Sequence, residues 1–223
     1  MVSNGSKAAT INGQEGSRRE RRKEETRSQL LQVAMKLFEK KGIFKTTVEE
    51  ITEAADIGKG TFFNYFSSKE AILSALAERQ LGFLQAGVEE SQNAASIRPI
   101  VLQIAHSLSK GPARSQLMFR SLLGAMMSHG TIMELCQKIH QRARELLAEI
   151  LQRGQELGEI RRDQPPIEQA RMLQHIIFGT HVIWAVGPPS DLHMWLDKSL
   201  EVYFRGMAPD APHCEVAAGK EQT

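Results

Sequence analysis

At 223 residues, with 41% apolar and 24% charged side chains, the chain can bury one large core or two small ones and has the composition of an ordinary globular protein. Its two cysteines, Cys136 and Cys214, stand 78 positions apart, which argues against a disulfide framework or a Cys-based zinc site and for a reduced, cytoplasmic setting. The net charge of +2 is unevenly placed: 13 Lys/Arg stand against 10 Asp/Glu up to residue 70, and 15 against 16 beyond it.

In chain order, residues 1–22 hold few apolar anchors and end in the basic run Arg18–Lys23, so a disordered basic arm is expected there. Leu30, Leu31, Ala34, Leu37 and Phe38 then recur at helical spacing, and Gly42 after two lysines stops that helix. Thr46 with Glu49 and Thr47 with Glu50 both have capping-box spacing, ahead of the apolar stripe Val48, Ile51, Ala54, Ala55. Asp56-Ile57-Gly58 breaks the chain, a short helix follows over 59–66, and Ser67 with Glu70 is a further capping box opening a long helix towards residue 90. Further helices are expected over 97–110, 113–128, 131–156, 165–186 and 190–206, separated by Gly- and Pro-containing breaks. Residues 207–223 read as a loose tail. The uncharged segment Met172–Gly187 contains two histidines, a glutamine and a threonine and is too short and too polar for a membrane span.

About nine helices without alternating strands give an all-α protein. Two short helices joined by a three-residue turn and braced by a longer one form a helix-turn-helix unit. In its second helix, Phe62, Phe63 and Phe66 fall on one side and read as the buried face, while Gly60, Thr61, Asn64 and Tyr65 fall on the other. That second face suits a major groove: Asn pairs with adenine, Thr touches a thymine methyl, and Gly admits close backbone approach. Lys69, in the first turn of the next helix, opposes the helix dipole and suits a phosphate, as does the hydroxyl of Tyr65.

The stretch KGIFKTTVEEITEAADIGKGTFFNYFSSKEAIL resembles the DNA-binding domain of the TetR family of bacterial transcriptional regulators over roughly residues 26–76. The resemblance implies that Lys59, Gly60, Thr61 and Asn64 face bases and that Thr46, Thr47, Tyr65 and Lys69 hold phosphates. The sequence departs from the family pattern at Asp56, where a turn glycine is usual, at Gly58, where a Ser/Thr cap is usual, and at Phe63, where a tyrosine hydroxyl is missing. Asp visits the left-handed region more readily than most residues, and Gly is an acceptable cap.

Beyond the helix-turn-helix no phosphate loop, nucleophile–base pair or metal-ligand spacing is recognisable, so neither an enzyme, a cofactor nor a metal is expected. The helix over 166–186 is apolar nearly all round, and the next carries Leu192, Trp195, Leu196, Leu200, Tyr203 and Phe204. Two such helices suggest a subunit interface built from Ile176, Ile183, Leu192, Trp195, Leu196 and Tyr203, and the resemblance implies a homodimer meeting a palindromic DNA operator. It also implies a ligand cavity, for which Met118, Phe119, Leu122, Met126, Phe178 and Trp184 are the candidates. Asp and Glu are sparse between Ile97 and Met133, which favours an apolar or amphipathic effector. The expected organisation is an arm (1–22), a DNA-binding domain (23–70), a ligand-binding and dimerisation bundle (71–206) and a tail (207–223). The expected function is a repressor released by that ligand. The alternative is a DNA-binding protein of this fold governed by a protein partner or serving a structural chromosomal role.

Overall fold

The computed structural model describes residues 6–209. Among them nine α-helices follow one another with no strand: α1 (Ser6–Lys41), α2 (Val48–Ala54), α3 (Lys59–Phe63), α4 (Lys69–Ser91), α5 (Arg98–Leu108), α6 (Gln116–Ser128), α7 (Gly130–Glu156), α8 (Pro166–Val186) and α9 (Leu192–Gly206). A short 3-10 turn over Pro112–Arg114 precedes α6, which therefore begins three residues later than the expected 113. The expected tail lies outside the described residues from 210 on.

Where a disordered arm was expected, residues 6–22 belong to α1. Residues 18–25 are all Arg, Lys or Glu, strong helix formers, and Arg21 pairs with Glu25 one turn on at 3.5 Å, so this exposed stretch extends a helix nucleated by its packed end. That packed end stops at Gly42, whose φ of +84° is the left-handed geometry of a C-terminal cap and whose N–H bonds the Phe38 carbonyl at 2.8 Å.

Two apolar cores result. One gathers Leu30, Ala34 and Phe38 of α1, Ile51 and Ala55 of the α2 region, Phe62, Phe66 and the first turns of α4. It also takes in Met118 and Ala125 of α6 and Ile132 of α7, so the small domain is completed by helices from the second half of the chain. The other core is built by α4, α5, α7, α8 and α9 around Ile97, Val101, Ile150, Leu151, Leu173 and Leu200. α6 ties the two together. A Cβ on Gly42 would meet the Ser121 hydroxyl at 2.5 Å, so α6 lies close against the end of α1. At the other side α6 caps α8: Gln116 donates to the Trp184 carbonyl at 2.7 Å, and the Arg120 guanidinium to the Ala185 carbonyl at 2.6 Å, where the helix dipole favours a cation.

Candidate nucleic-acid interface and ligand cavity

The turn between α2 and α3 is set by local chemistry. Of the two possible capping boxes the chain uses Thr47 with Glu50: the Thr47 hydroxyl accepts from the Glu50 N–H, and Glu50 accepts from the Thr47 N–H at 2.9 Å. Asp56 has φ of +52°, the only non-glycine in that region among the described residues, and occupies the turn position where the sequence lacks a glycine. Gly58 caps α3 without a side-chain bond. α4 is capped by Ser68, which accepts from the Ala71 N–H at 3.3 Å, one residue after the expected Ser67.

α3 is shorter than expected, ending at Phe63, and only two of the three phenylalanines read as its buried face are buried. Phe62 and Phe66 are buried, but Phe63 is 53% exposed and meets Phe62 only edge-on at 5.4 Å. Phe62 and Phe66 lie one helical turn apart, with the Phe66 N–H bonding the Phe62 carbonyl at 2.9 Å, so they share the buried face, whereas Phe63, one position on, points off that face. Gly60 and Asn64 are exposed and Thr61 is partly so. A Cβ on Gly60 would meet nothing within 4 Å, so the fold itself has no need of glycine there. Lys59 is exposed and paired with Glu49 of α2 at 2.5 Å, and that ammonium holds the Glu49 carboxyl below the usual carboxylate range. The pairing was not foreseen, because it joins two elements across the turn.

The residues expected on phosphates divide. Thr47 is exposed at the α2 N-terminus, and Tyr65 is half-buried against the small core. Thr46 is fully buried, with its hydroxyl donating to the Gly42 carbonyl at 2.9 Å, so its side chain is a packing element and not a phosphate contact. Its own carbonyl accepts from Lys69 Nζ at 3.0 Å. Lys69 therefore braces α4 against the loop before α2.

A cavity of about 160 Å³ lies between α4, α6, α7 and α8. Of the residues expected to form it, Phe119, Leu122, Met126 and Phe178 line it, and Met118 and Trp184 do not. Met118 turns to the small core, one position round the helix from Phe119. The Trp184 indole is anchored to the Ser190 carbonyl at 2.9 Å in the loop after α8. Leu73, Leu84, Ile132 and Leu147 add apolar wall, and Gln80, Cys136, His140, Gln174 and His181 are the polar lining. Burial pushes the Cys136 thiol up, and burial, with Arg144 nearby, pushes His140 down. These polar residues were missed because they are scattered over α4, α7 and α8.

The residues expected at a subunit interface also divide. Leu192, Leu196 and Tyr203 are buried within the chain's own core, Tyr203 donating its hydroxyl to the Gln169 carbonyl at 3.0 Å. Ile183, Trp195, Val186 and Val202 are exposed, Ile183 to 70%, and Ile176 is half-buried. The outward stripe of α8 and α9 thus runs through Ile176, Ile183, Val186, Trp195 and Val202. Among the described residues no group of three metal-ligating side chains is gathered, and no helix is long and apolar enough to cross a membrane.

Residues 30–76, which contain this helix-turn-helix, match the model of the bacterial regulatory proteins of the tetR family. The chain is 30% identical over 149 residues to the HTH-type transcriptional regulator TcmR of Streptomyces glaucescens, spanning 62% of this chain and 58% of that one, less than two thirds of the relative's length. The structure is similar to that of Thermus thermophilus FadR, a TetR-family transcriptional repressor solved with lauroyl-CoA (TM-score 0.56, 26% identity, 86% of this chain and all of that one). It also resembles SmeT, the repressor of the Stenotrophomonas maltophilia efflux pump SmeDEF (TM-score 0.66, 23% identity, 82% and 91% covered), which has also been solved with triclosan. The fold is that of a helix-turn-helix regulator, with an N-terminal DNA-binding-type domain followed by a helical bundle. Residues 30–76 thus carry a helix-turn-helix domain of the kind found in the tetR family of bacterial regulatory proteins.

Proposed function

We propose that this chain is a cytoplasmic, homodimeric transcriptional repressor that reads a palindromic double-stranded DNA operator with α3 and is released by a small apolar or amphipathic ligand. The observation that carries the reading is a shared wall. Leu73 and Ile132 belong to the core that supports α3 and also line the cavity, and α6 presents Met118 and Ala125 to that core while Phe119, Leu122 and Met126 face the cavity. A ligand that fills the cavity acts on residues that set the position of α3, so differential binding to two arrangements can shift the population away from the DNA-binding one. The ligands printed for the FadR and SmeT structures, lauroyl-CoA and triclosan, have the apolar or amphipathic character that this lining accommodates.

Lys59, Gly60, Thr61 and Asn64 would meet base edges, and Thr47, Tyr65 and Lys69 the backbone. A C2 dimer through the outward stripe of α8 and α9 would set two reading heads on two half-sites. The test is fluorescence anisotropy against DNA upstream of the protein's own gene, with a salt series and random competitor. Specific binding that survives competitor is expected, with Asn64→Ala losing roughly 1–3 kcal/mol on the operator alone. Ile183→Glu should sediment as a monomer and bind the operator weakly. Equal loss to competitor at every salt, or a dimer undisturbed by Ile183→Glu, would remove the corresponding part of the reading.

A further inference from the structure

Resting on the ligand reading above, we propose that His181 is the hydrogen-bond acceptor of the cavity and selects an uncharged aromatic ligand bearing a hydroxyl group. His181 lines the cavity at 4% exposure. Its Nδ1 lies 2.7 Å from the Ile177 carbonyl oxygen, which can only accept, so Nδ1 carries the proton and Nε2 a lone pair. The donor that the fold offers to Nε2 is the Ser109 hydroxyl at 3.4 Å, but its single proton has a shorter bond, 3.1 Å, to the Ala105 carbonyl. Nε2 thus shares one hydroxyl proton with the Ala105 carbonyl, and a ligand hydroxyl placed against it would supply a proton of its own. Burial, and to a lesser extent the charge of His193, outweigh the Ile177 carbonyl and hold the imidazole below its ordinary range, so this neutral tautomer persists at neutral pH.

Two further observations define the rest of the ligand. Four rings follow one another along the wall: His181 to Phe119 at 5.7 Å, Phe119 to Phe178 at 6.1 Å, and Phe178 to His140 at 5.2 Å. Such a run favours an aromatic plane over a flexible chain. No Lys, Arg, Asp or Glu lines the cavity, and Arg144 stands behind the wall engaged with Gln174, so a carboxylate or an ammonium would be desolvated with no charge in direct contact. The lining amides are partly committed: Gln80 donates to the Leu108 carbonyl at 3.4 Å, and Gln174 donates to the His140 carbonyl at 2.8 Å and accepts from Arg144 at 3.1 Å. The demand at His181 is for a donor, which a hydroxyl supplies and a ketone or ester does not.

The test titrates the full-length protein with 2-naphthol, naphthalene and 2-naphthoate by calorimetry, and repeats the series on His181→Phe. We expect 2-naphthol and naphthalene to bind, 2-naphthoate to bind far more weakly, and the naphthol-to-naphthalene affinity ratio to fall about fivefold in His181→Phe, the scale of one net hydrogen bond. On wild-type protein labelled with 15N-histidine, the His181 Nε2 resonance should move upfield with 2-naphthol and not with naphthalene, a readout that does not depend on the variant folding. An unmoved resonance, or an unchanged ratio in a folded variant, overturns the role of His181 while naphthalene binding leaves the cavity reading intact. Failure of all three compounds to bind overturns both.

Discussion

Lys69 Nζ donates to the Thr46 carbonyl oxygen at 3.0 Å, so the first turn of α4 is tied to the residue just ahead of the α2 cap. The residue read from sequence as a phosphate contact is therefore also a brace of the reading head. Lys69→Met should lower stability by about 1 kcal/mol, the net worth of such a bond. It should also weaken binding to all DNA sequences alike and reduce the salt slope by about 1. Thermal melts and a salt series separate the two effects; a lower melting point with an unchanged slope would leave Lys69 with the bracing role only.

Gly60 offers a cleaner separation of folding from recognition. Nothing lies within 4 Å of a Cβ built there, so Gly60→Ala should not disturb the free protein and should stabilise α3 by roughly 0.5–1 kcal/mol. If the helix backbone meets the groove floor at this point, the same methyl should cost about tenfold in operator affinity, the scale of one lost base contact. Equal or tighter operator binding by Gly60→Ala would move the reading face elsewhere on the helix.

Asp56 holds φ at +52°, a conformation that costs β-branched residues most. Asp56→Val should therefore destabilise the protein by about 1–2 kcal/mol, and Asp56→Gly should be neutral or slightly stabilising. Chemical denaturation of the three proteins checks the order; a Val variant as stable as wild type would mean that the turn relaxes without strain.

The buried histidines make stability depend on pH in a defined direction. Burial holds both His181 and His140 below their ordinary value of 6.5, so the unfolded chain takes up these protons more readily than the folded one. Their contribution is full above about pH 6.5 and is lost as pH falls through the depressed folded values. The melting temperature should decline between pH 7.5 and pH 5, less steeply in His181→Phe than in wild type. A slope unaltered by that substitution would assign the acid sensitivity to His140 or to the surface carboxylates.

Local chemistry made much of this protein legible. The Thr47–Glu50 box, the stop at Gly42 and the left-handed turn at Asp56 depend on atoms a few residues apart, so the helix-turn-helix and the order of the nine helices among the described residues follow from the chain read in order, while the start of α1 and the end of α3 do not. What could not be read was which side of a helix finds which neighbour. Phe62 and Phe63, Met118 and Phe119, and Trp195 and Leu196 are adjacent apolar pairs of similar hydrophobicity, and in each pair the two side chains have different environments. That choice belongs to packing: α1, α4 and α6 jointly bury Phe62 and Met118, leaving Phe63 in solvent and Phe119 at the cavity. The same packing buries Thr46, pairs Lys59 with Glu49 across the turn, and sets His181 beside Ser109 from a helix 72 residues away. These contacts join distant parts of the chain, and only the closing of the two cores on shared helices brings them into being.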